Sequence, residues 1–173
     1  MGQITYSDFE KCITDISIQK TTLLFLHKPE EKKILLGMKK RRFGKGKWNG
    51  IGGKLNEGEN IKESLIRETR EEINVIVNQN NLVQVAILDF SFKDKSEWNQ
   101  QVHVFLAEKW DKEPIETEEM LPRWYSIDSL PFKDMWVDDI HWLPSVLEGK
   151  KINGSFTLDK TGDEILDMKI KEI

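Results

Sequence analysis

The feature that most constrains this chain is a glycine-rich, basic stretch followed directly by a carboxylate-rich helical pattern. The stretch reads KKRRFGKGKWNGIGGKLNEGE over residues 39–59, and NIKESLIRETREEI follows over residues 60–73. Side chains able to pack recur every four positions in the second segment, at Ile61, Leu65, Thr69 and Ile73. This period predicts a helix with one buried face, and Asn60 is suited to cap its start. The stretch before the helix can be a linker, a nucleic-acid patch or a loop that holds phosphate.

Three carboxylates share one face of that predicted helix, because Glu68, Glu71 and Glu72 are spaced i, i+3 and i+4. Like charges at such spacings destabilise a helix by about a few tenths of a kcal/mol, so the cluster needs a compensating cation. Carboxylate oxygens are hard ligands suited to Mg²⁺, which takes one or two carboxylates together with phosphate and water oxygens. On charge pattern alone, however, the better interpretation is a solvated face that neighbouring lysine and arginine residues neutralise.

Composition limits the classes of protein to consider. The chain has 173 residues, enough for one domain, and 38% of them are apolar, enough for a core. A net charge of -4 argues against a basic nucleic-acid-binding domain, and the single cysteine, Cys12, excludes an internal disulfide and agrees with a reducing compartment. Residues 1–20 lack the apolar core of a signal peptide, and no apolar run approaches the roughly 20 residues that cross a bilayer. We therefore expect a soluble, cytoplasmic protein without membrane or nucleic-acid partners.

Strands outnumber helices in the remaining pattern, which favours the α+β class. Alternating or continuous apolar runs predict strands over 21–26, 34–40, 82–92, 101–110 and 123–127, and a hairpin over 152–173. We expect one domain over 21–173, preceded by an N-terminal extension over 1–20.

Two further helices are expected, over 7–14 and over 138–150. The second contains Pro144 and is predicted to end at Gly149. The chain holds six tryptophans, of which several must be structural. The predicted core tryptophans are Trp110, Trp124 and Trp142.

The wider spacing changes the interpretation of the carboxylate face. From Gly53 the chain follows G-x5-E-x7-R-E-U-x-E-E-x-G-U, where U is apolar, and this pattern is typical of the Nudix box. The matching positions are Gly53, Glu59, Arg67, Glu68, Glu71, Glu72 and Val75. Thr69 stands where an apolar residue is usual, and its methyl group can still pack. Asn74 stands where glycine is usual, and asparagine is the next-best residue for a left-handed helix end.

The resemblance to Nudix hydrolases extends over about residues 22–173. LLGMKKRRFGKGKWNGIGGKLNEGE, VHVF, PFKDMW with a nearby pair of aspartates, and ILDMKIKEI are similar to the animal, MutT-like branch that removes oxidised nucleotides from the nucleotide pool. The resemblance implies a mixed β-sheet between helices, with a catalytic loop–helix–loop. It also implies a monomeric enzyme that hydrolyses oxidised purine nucleoside triphosphates, such as 8-oxo-dGTP and 2-hydroxy-dATP, to monophosphate and pyrophosphate. Mg²⁺ is the implied cofactor, and Mn²⁺ can substitute for it.

The same resemblance implies which groups hold the metal. Glu68 and Glu72 are expected to bind it with help from Glu71, and the Gly52 carbonyl is expected to be a further ligand. Glycine suits that place, because only a residue without a bulky side chain lets backbone approach a metal closely. Glu119 matches a ligand outside the box, although it can equally be a plain surface acid. Which carboxylate is the general base stays open, because geometry decides that before pKa.

Recognition of the base is expected from Asp138, Asp139 and Asn49. Aspartates at the start of a helix are ordinary caps, but the resemblance places these two at the purine pocket with Asn49 opposite. Two close carboxylates disfavour double ionisation, so one is expected to keep a proton near neutral pH and the pair can then donate and accept. Aromatic faces should frame the base, with a gain on the order of 1–3 kcal/mol per base. The matching aromatic residues are Phe43, Phe90 and Trp136, of which the tryptophan can instead be core.

Supporting roles follow from the resemblance as well. Arg67 is expected to pair with Glu59 and brace the catalytic loop. Thr22 and Lys39 match pocket positions, although Lys39 can equally be an exposed lysine at a strand end. Val137 replaces a proline that is usual there, and loss of the ring frees φ. The loop is therefore expected to be looser and the base preference less sharply fixed.

Three rival functions stay open. A Nudix activity on another diphosphate linkage, such as a dinucleoside polyphosphate or a capped RNA end, is disfavoured by the WNG and WVDD elements. A catalytically weak nucleotide-binding module is disfavoured because all box glutamates are present. Nucleic-acid binding through KKRR is disfavoured because interleaved aromatic residues are sparse and the total charge is negative.

Overall fold

A mixed eight-stranded sheet carries most of the chain in the computed structural model, which describes residues 18–173. The strands are β1 (Gln19–Lys28), β2 (Lys33–Lys39), β3 (Trp48–Asn49), β4 (Val83–Phe92), β5 (Gln100–Ala107), β6 (Met120–Ser126), β7 (Ile152–Leu158) and β8 (Ile165–Glu172). The helices are α1 (Ile61–Ile73) and α2 (Asp139–Leu147). The helix predicted over 7–14 lies outside the described residues. No helix within 18–173 is long and apolar enough to cross a membrane.

The sheet divides between β1 and β2, and this division positions the glycine-rich stretch. The strand order is β3-β2-β1-β5-β4-β7-β8, with β6 on β2 and with parallel pairs at β1–β5 and β4–β7. β1 and β2 pair only beside their turn, at His27–Ile34 and Lys28–Lys33. Further along, Leu24 exchanges backbone hydrogen bonds of 2.6 and 2.8 Å with Ile51 instead. The glycine-rich stretch therefore pairs with β1 along the part of that strand that β2 does not contact.

Two hydrophobic cores lie on opposite faces of the sheet. Leu23 and Phe25 of β1 belong to the core that α2 covers, whereas Leu24 and Leu26 belong to the core that α1 covers. A strand buried on both faces reads as a continuous apolar run, which explains the TTLLFL sequence. The α+β prediction of a mixed sheet between helices is confirmed.

Most predicted element positions agree with the structure, and the differences lie at the ends of elements. The strand predicted over 101–110 ends at Ala107, and the strand predicted over 123–127 begins earlier, at Met120. The helix predicted over 138–150 is present with Pro144 inside it, and a left-handed Gly149 follows its end.

The tryptophan prediction was partly wrong. Trp142 is buried, with 1% of its surface exposed, as expected. Trp110 and Trp124 are only half-buried, and they stack on each other at 5.7 Å at the edge of the α1 core. Trp48 is the second buried tryptophan, since β3 carries it into the α2 core.

Candidate active site

The glycine-rich stretch runs so close to its neighbours that a side chain at Gly52 would collide with backbone and one at Gly53 would displace the Glu68 carboxylate. A Cβ at Gly52 would lie 1.9 Å from the Thr22 carbonyl oxygen, and one at Gly53 would lie 2.7 Å from the Glu68 carboxyl carbon. The Thr22 N–H donates to the Gly53 carbonyl at 2.9 Å, which fixes the approach to β1. The stretch is therefore an ordered connection that brings backbone up to the carboxylates of α1.

Both ends of α1 are capped, which fixes the direction of its carboxylates. Asn60 accepts a hydrogen bond from the Glu63 N–H at 3.0 Å, and the Glu63 carboxylate accepts one from the Asn60 N–H at 2.9 Å. Asn74 is left-handed with a φ of 59°, as predicted for the residue that replaces the box glycine. Thr69, the other departure, is buried, and its hydroxyl donates to the Leu65 carbonyl at 2.7 Å. Both departures from the box are compatible with the helix.

Arg67 joins the glycine-rich stretch to the carboxylate face of α1. Its guanidinium donates to Glu59 twice, from Nε at 2.6 Å and from Nη2 at 3.0 Å. Its Nη1 donates to Glu68 at 2.9 Å and to Glu71 at 3.2 Å. The hydrogen bonds from Arg67 to Glu59 are the main reason that the pKa of Glu59 falls to about 2. The pair expected from the resemblance is therefore part of a larger network, in which one arginine holds two of the box carboxylates as well.

Glu72 is the most deeply buried carboxylate of the box, with 3% of its surface exposed. Its Oε2 accepts a hydrogen bond from the Gly52 N–H at 3.2 Å. Burial, followed by repulsion from Glu68, raises the pKa of Glu72 to about 8. Burial also raises the pKa of Glu68, against the opposing effect of Arg67. Glu68 and Glu72 repel each other beside a single arginine. When both are ionised, the site therefore carries more negative than positive charge.

This donor set fits a divalent cation that shares its coordination with substrate and water. Within residues 18–173 no three His, Cys, Asp or Glu side chains are grouped as a complete metal site. Glu119 pairs with Arg41 instead, although its charge contributes to the raised pKa of Glu72. Mg²⁺ typically binds one or two carboxylates together with waters and phosphate oxygens. Glu68 and Glu72 therefore supply suitable protein ligands for such a cation. Glu119 would have to leave Arg41 to become a further ligand.

A cavity of about 350 Å³ opens next to the glycine-rich stretch. Every residue predicted to bind substrate lines it, namely Thr22, Lys39, Phe43, Asn49, Phe90, Trp136, Asp138 and Asp139. Gly52 and Gly53 also line the cavity, and Gly53 abuts Glu68. The cavity and the carboxylate site therefore meet at these two glycines. Its volume lies in the usual range for small-molecule sites, roughly 300–1,000 Å³.

The two adjacent aspartates of the cavity wall are buried, with 4% of Asp138 and 2% of Asp139 exposed. Asp138 precedes α2 but makes no side-chain capping bond, and its carboxylate accepts from the Trp142 Nε1–H at 2.9 Å. Asp139 accepts from the Trp136 N–H at 3.1 Å. Burial raises the pKa of both carboxyls, and repulsion from Asp138 raises that of Asp139 further. Two close, buried carboxyls disfavour double ionisation, so one of them keeps its proton to a higher pH than an ordinary aspartate does.

Asn49 and Lys39 add polar groups to other parts of the wall. Asn49 lies on β3, and its Oδ1 accepts from the Gly50 N–H at 2.8 Å, which orients the amide. Lys39 ends β2 and is half-buried. Its positive charge lowers the pKa values of Glu68 and Glu72, against the larger effect of burial. Lys39 therefore faces both the cavity and the carboxylates.

Aromatic rings surround the cavity more completely than the sequence predicted. Phe43 packs against Trp136 with ring centroids 5.1 Å apart, and Phe90 stacks on Phe156 at 5.3 Å. Trp136 is half-buried at the cavity rather than a core residue. Sequence reasoning missed Trp98, which lines the cavity from the connection between β4 and β5. A large aromatic residue in a short polar connection was the available signal, because binding residues concentrate on connections.

Comparisons with known proteins agree with this geometry. The NUDIX domain family matches residues 18–146. A Danio rerio protein named oxidized purine nucleoside triphosphate hydrolase is 42% identical over 141 residues, which cover 82% of this chain and 88% of that protein. The Mus musculus protein of the same name is 41% identical over 152 residues, which cover 88% of this chain and 94% of that protein. The solved structure of a MutT protein from Bacillus halodurans matches with a TM-score of 0.76 at 24% identity, covering 89% of this chain and 98% of that one, and shows the shared fold.

Proposed function

This chain belongs to the Nudix family, and from that premise we propose that it hydrolyses oxidised purine nucleoside triphosphates to monophosphates and pyrophosphate. The observation that carries the proposal is the junction at Gly52 and Gly53, where the α1 carboxylates meet a cavity with aromatic walls and two buried aspartates. A nucleotide whose base fills the cavity would extend its phosphates toward those carboxylates. The two relatives named as oxidized purine nucleoside triphosphate hydrolases support this substrate class.

At the phosphate end, Glu68 and Glu72 would hold Mg²⁺, for which Mn²⁺ can substitute. Nudix hydrolases generally use such a divalent metal. Glu71 and the Gly52 carbonyl would assist, and Glu119 would join once it leaves Arg41. When bound, the cation neutralises charge on the phosphate groups while water attacks phosphorus.

The chain's own side chains orient the phosphate end and accept the proton of the attacking water. Arg67 fixes Glu59 and the α1 carboxylates relative to each other. Lys39 adds positive charge on the cavity side, where it attracts phosphate oxygens. One carboxylate of the α1 face would accept that proton, and the geometry of the substrate complex decides which one.

At the base end, the aspartate pair supports recognition of more than one oxidised purine. With one shared proton, Asp138 and Asp139 donate one hydrogen bond and accept another. Moving the proton between them reverses that pattern, so the same pocket suits an oxidised guanine or an oxidised adenine. Asn49 supplies a further donor and acceptor, while Trp136 and Phe43 offer ring faces. Phe90 and Thr22 complete the lining.

Steady-state hydrolysis of 8-oxo-dGTP, 2-hydroxy-dATP, dGTP and a dinucleoside polyphosphate with Mg²⁺ tests the proposal. We expect the highest kcat/KM for the two oxidised nucleotides, with pyrophosphate as product, and a fall of at least about 100-fold in Glu72→Gln. Preferred cleavage of the dinucleoside polyphosphate would favour the rival Nudix activity. Tight binding of the oxidised nucleotides without turnover would favour the non-catalytic module.

We further propose that the enzyme is a cytoplasmic monomer acting on free nucleotides, with one catalytic domain after an N-terminal extension. The negative net charge and the single cysteine support this. The boundary expected between residues 20 and 21 lies inside β1, which begins at Gln19, so the domain includes the whole of that strand. Sedimentation velocity measures the oligomeric state, and deletion of 1–17, which removes no residue of the described fold, tests whether the extension is dispensable for turnover.

A further inference from the structure

The connection between β4 and β5 fixes a tryptophan at the cavity. Ser96–Trp98 form a single 3-10 turn, in which the Trp98 N–H donates to the Lys95 carbonyl at 2.9 Å. The Asn99 side chain accepts from the Phe92 N–H at 2.9 Å and ties this turn to the end of β4. The Trp98 ring packs edge-on against Phe92, with centroids 5.7 Å apart and an angle of 85°. Trp98 is therefore held by its own connection and by the α2 core.

Trp98 contacts the most exposed ring of the cavity. Phe43, on the connection between β2 and β3, is 47% exposed. Its ring lies 5.3 Å from Trp98 and 5.1 Å from Trp136, measured between centroids. In the described part of the chain Phe43 belongs to neither hydrophobic core. The two tryptophans are therefore its main packing partners, and they decide where its ring lies.

We propose that Trp98 is a positioning residue for the nucleotide base, which it serves by holding Phe43 over the cavity. The inference rests on the proposed function, in which a purine fills that cavity. Phe43 acts through its ring face and Trp98 acts through Phe43, so the effect of both does not depend on which edge groups the base carries. The aspartate pair and Asn49 carry the hydrogen-bonding groups instead. Trp98 should therefore retain oxidised and ordinary purines alike, without selecting between them.

Trp98→Ala tests this role through binding as well as turnover. We expect KM for 8-oxo-dGTP and for dGTP to rise by the same factor, roughly 5- to 100-fold, the range for loss of one aromatic contact at a base. The kcat should stay within about twofold, because Trp98 does not touch the reacting phosphate. The Kd of the product 8-oxo-dGMP, measured by calorimetry without metal, should weaken by a similar factor. Trp98→Phe should restore most of the affinity.

A double-mutant cycle with Phe43 separates positioning from general loss of packing. Trp98→Ala should add less than about twofold to KM when Phe43→Ala is already present, because both variants remove the same contact. Trp124→Ala is the matched control. Like Trp98, Trp124 is half-buried and packs against another aromatic ring, but it lies outside the cavity lining. It should change thermal stability and leave KM unchanged.

Unchanged KM and Kd in Trp98→Ala, or full additivity with Phe43→Ala, would overturn the inference. Thermal unfolding reports whether each variant folds, and Trp98→Leu keeps an apolar contact to Phe92 if the alanine variant is unstable. A wild-type protein that hydrolyses none of the purine triphosphates would instead contradict the proposed function. The two failures are therefore distinguishable in one set of measurements.

Discussion

Single carboxyl groups in this protein differ in proton affinity because their surroundings differ. Glu59 and Glu72 belong to the same box, yet hydrogen bonds from Arg67 lower the pKa of Glu59 to about 2, whereas burial raises that of Glu72 to about 8. The same physics applies at Asp138 and Asp139, where burial raises both pKa values. Residue type alone therefore does not determine which carboxyl holds a proton at neutral pH.

Burial of the Glu72 carboxyl should make the stability of the metal-free protein depend on pH. Its folded-state pKa of about 8 exceeds the ordinary 4.5, so its contribution to stability is present below about pH 4.5 and is lost as pH rises towards 8. Glu72→Gln removes this dependence and should be more stable than wild type by a growing margin between pH 5 and 8. Denaturant unfolding in EDTA measures the difference, with the exposed Glu57→Gln as control. Parallel pH profiles for wild type and Glu72→Gln would contradict the assignment.

The aspartate pair should control the choice between oxidised bases. Asp138→Asn or Asp139→Asn fixes one position as an amide and ends the exchange of a proton between two carboxyls. We expect the ratio of kcat/KM for 8-oxo-dGTP and 2-hydroxy-dATP to change by at least about tenfold in one of the variants, in the range for altered hydrogen-bond recognition. Unchanged kinetics for both substrates in both variants would remove the pair from base recognition.

Among the elements, α1 and the stretch before it act as one unit. The capping box at Asn60 and the left-handed Asn74 set where the helix begins and ends. The hydrogen bonds of Arg67 then tie its carboxylate face to the stretch, while Gly52 and Gly53 allow the contact with β1 and Glu68. The direction of the α1 carboxylates thus depends on the helix ends as much as on the helix itself.

Substitution at Asn74 tests that dependence with a built-in control. Asn74 has a φ of 59°. Alanine and β-branched residues adopt this left-handed conformation only at an energetic cost, whereas glycine adopts it freely. Asn74→Ala should lower the free energy of unfolding by about 1 kcal/mol, whereas Asn74→Gly should leave it equal or higher. Chemical denaturation measures both variants. Equal losses in the two would indicate that the Asn74 side chain, rather than its backbone conformation, stabilises the helix end.

Across the whole molecule, two sites on different elements are joined where the sheet divides. The carboxylates are carried by α1, while the cavity draws residues from the sheet, from α2 and from four connections. The separation of β2 from β1 lets the glycine-rich stretch lie between the two sites. The α1 carboxylates and the side chains of the cavity wall are thus separate sets that meet at the glycine-rich stretch.

Ligands for the two sites should stabilise the protein independently. Mg²⁺ and the product 8-oxo-dGMP should each raise Tm, because each binds the folded state only. Glu72→Gln should reduce the Mg²⁺ effect and keep the product effect, whereas Trp136→Ala should do the reverse. Thermal shift measurements at matched ligand concentrations test this, with Trp124→Ala retaining both effects. Loss of both effects in either variant would show that the two sites are not separable.

Local features could be predicted from the amino-acid sequence, because their causes act over a few residues. The four-residue period of α1, its cap at Asn60, its left-handed end at Asn74 and the spacing of the box carboxylates all agree with the structure. The helix features follow from backbone conformation and side-chain periodicity, which adjacent positions determine. The eight predicted residues that line the cavity came instead from the resemblance to a known family.

Only the tertiary structure decided which groups are buried and which distant side chains touch. The raised pKa of Glu72, the half-burial of Trp110 and Trp124, the pairing of Glu119 with Arg41 and the contact of Trp98 with Phe43 were not readable from spacing. Each depends on how connections far apart in sequence converge around the divided sheet. That convergence determines desolvation and packing, because both depend on the groups that surround a side chain in space and not on its neighbours along the chain.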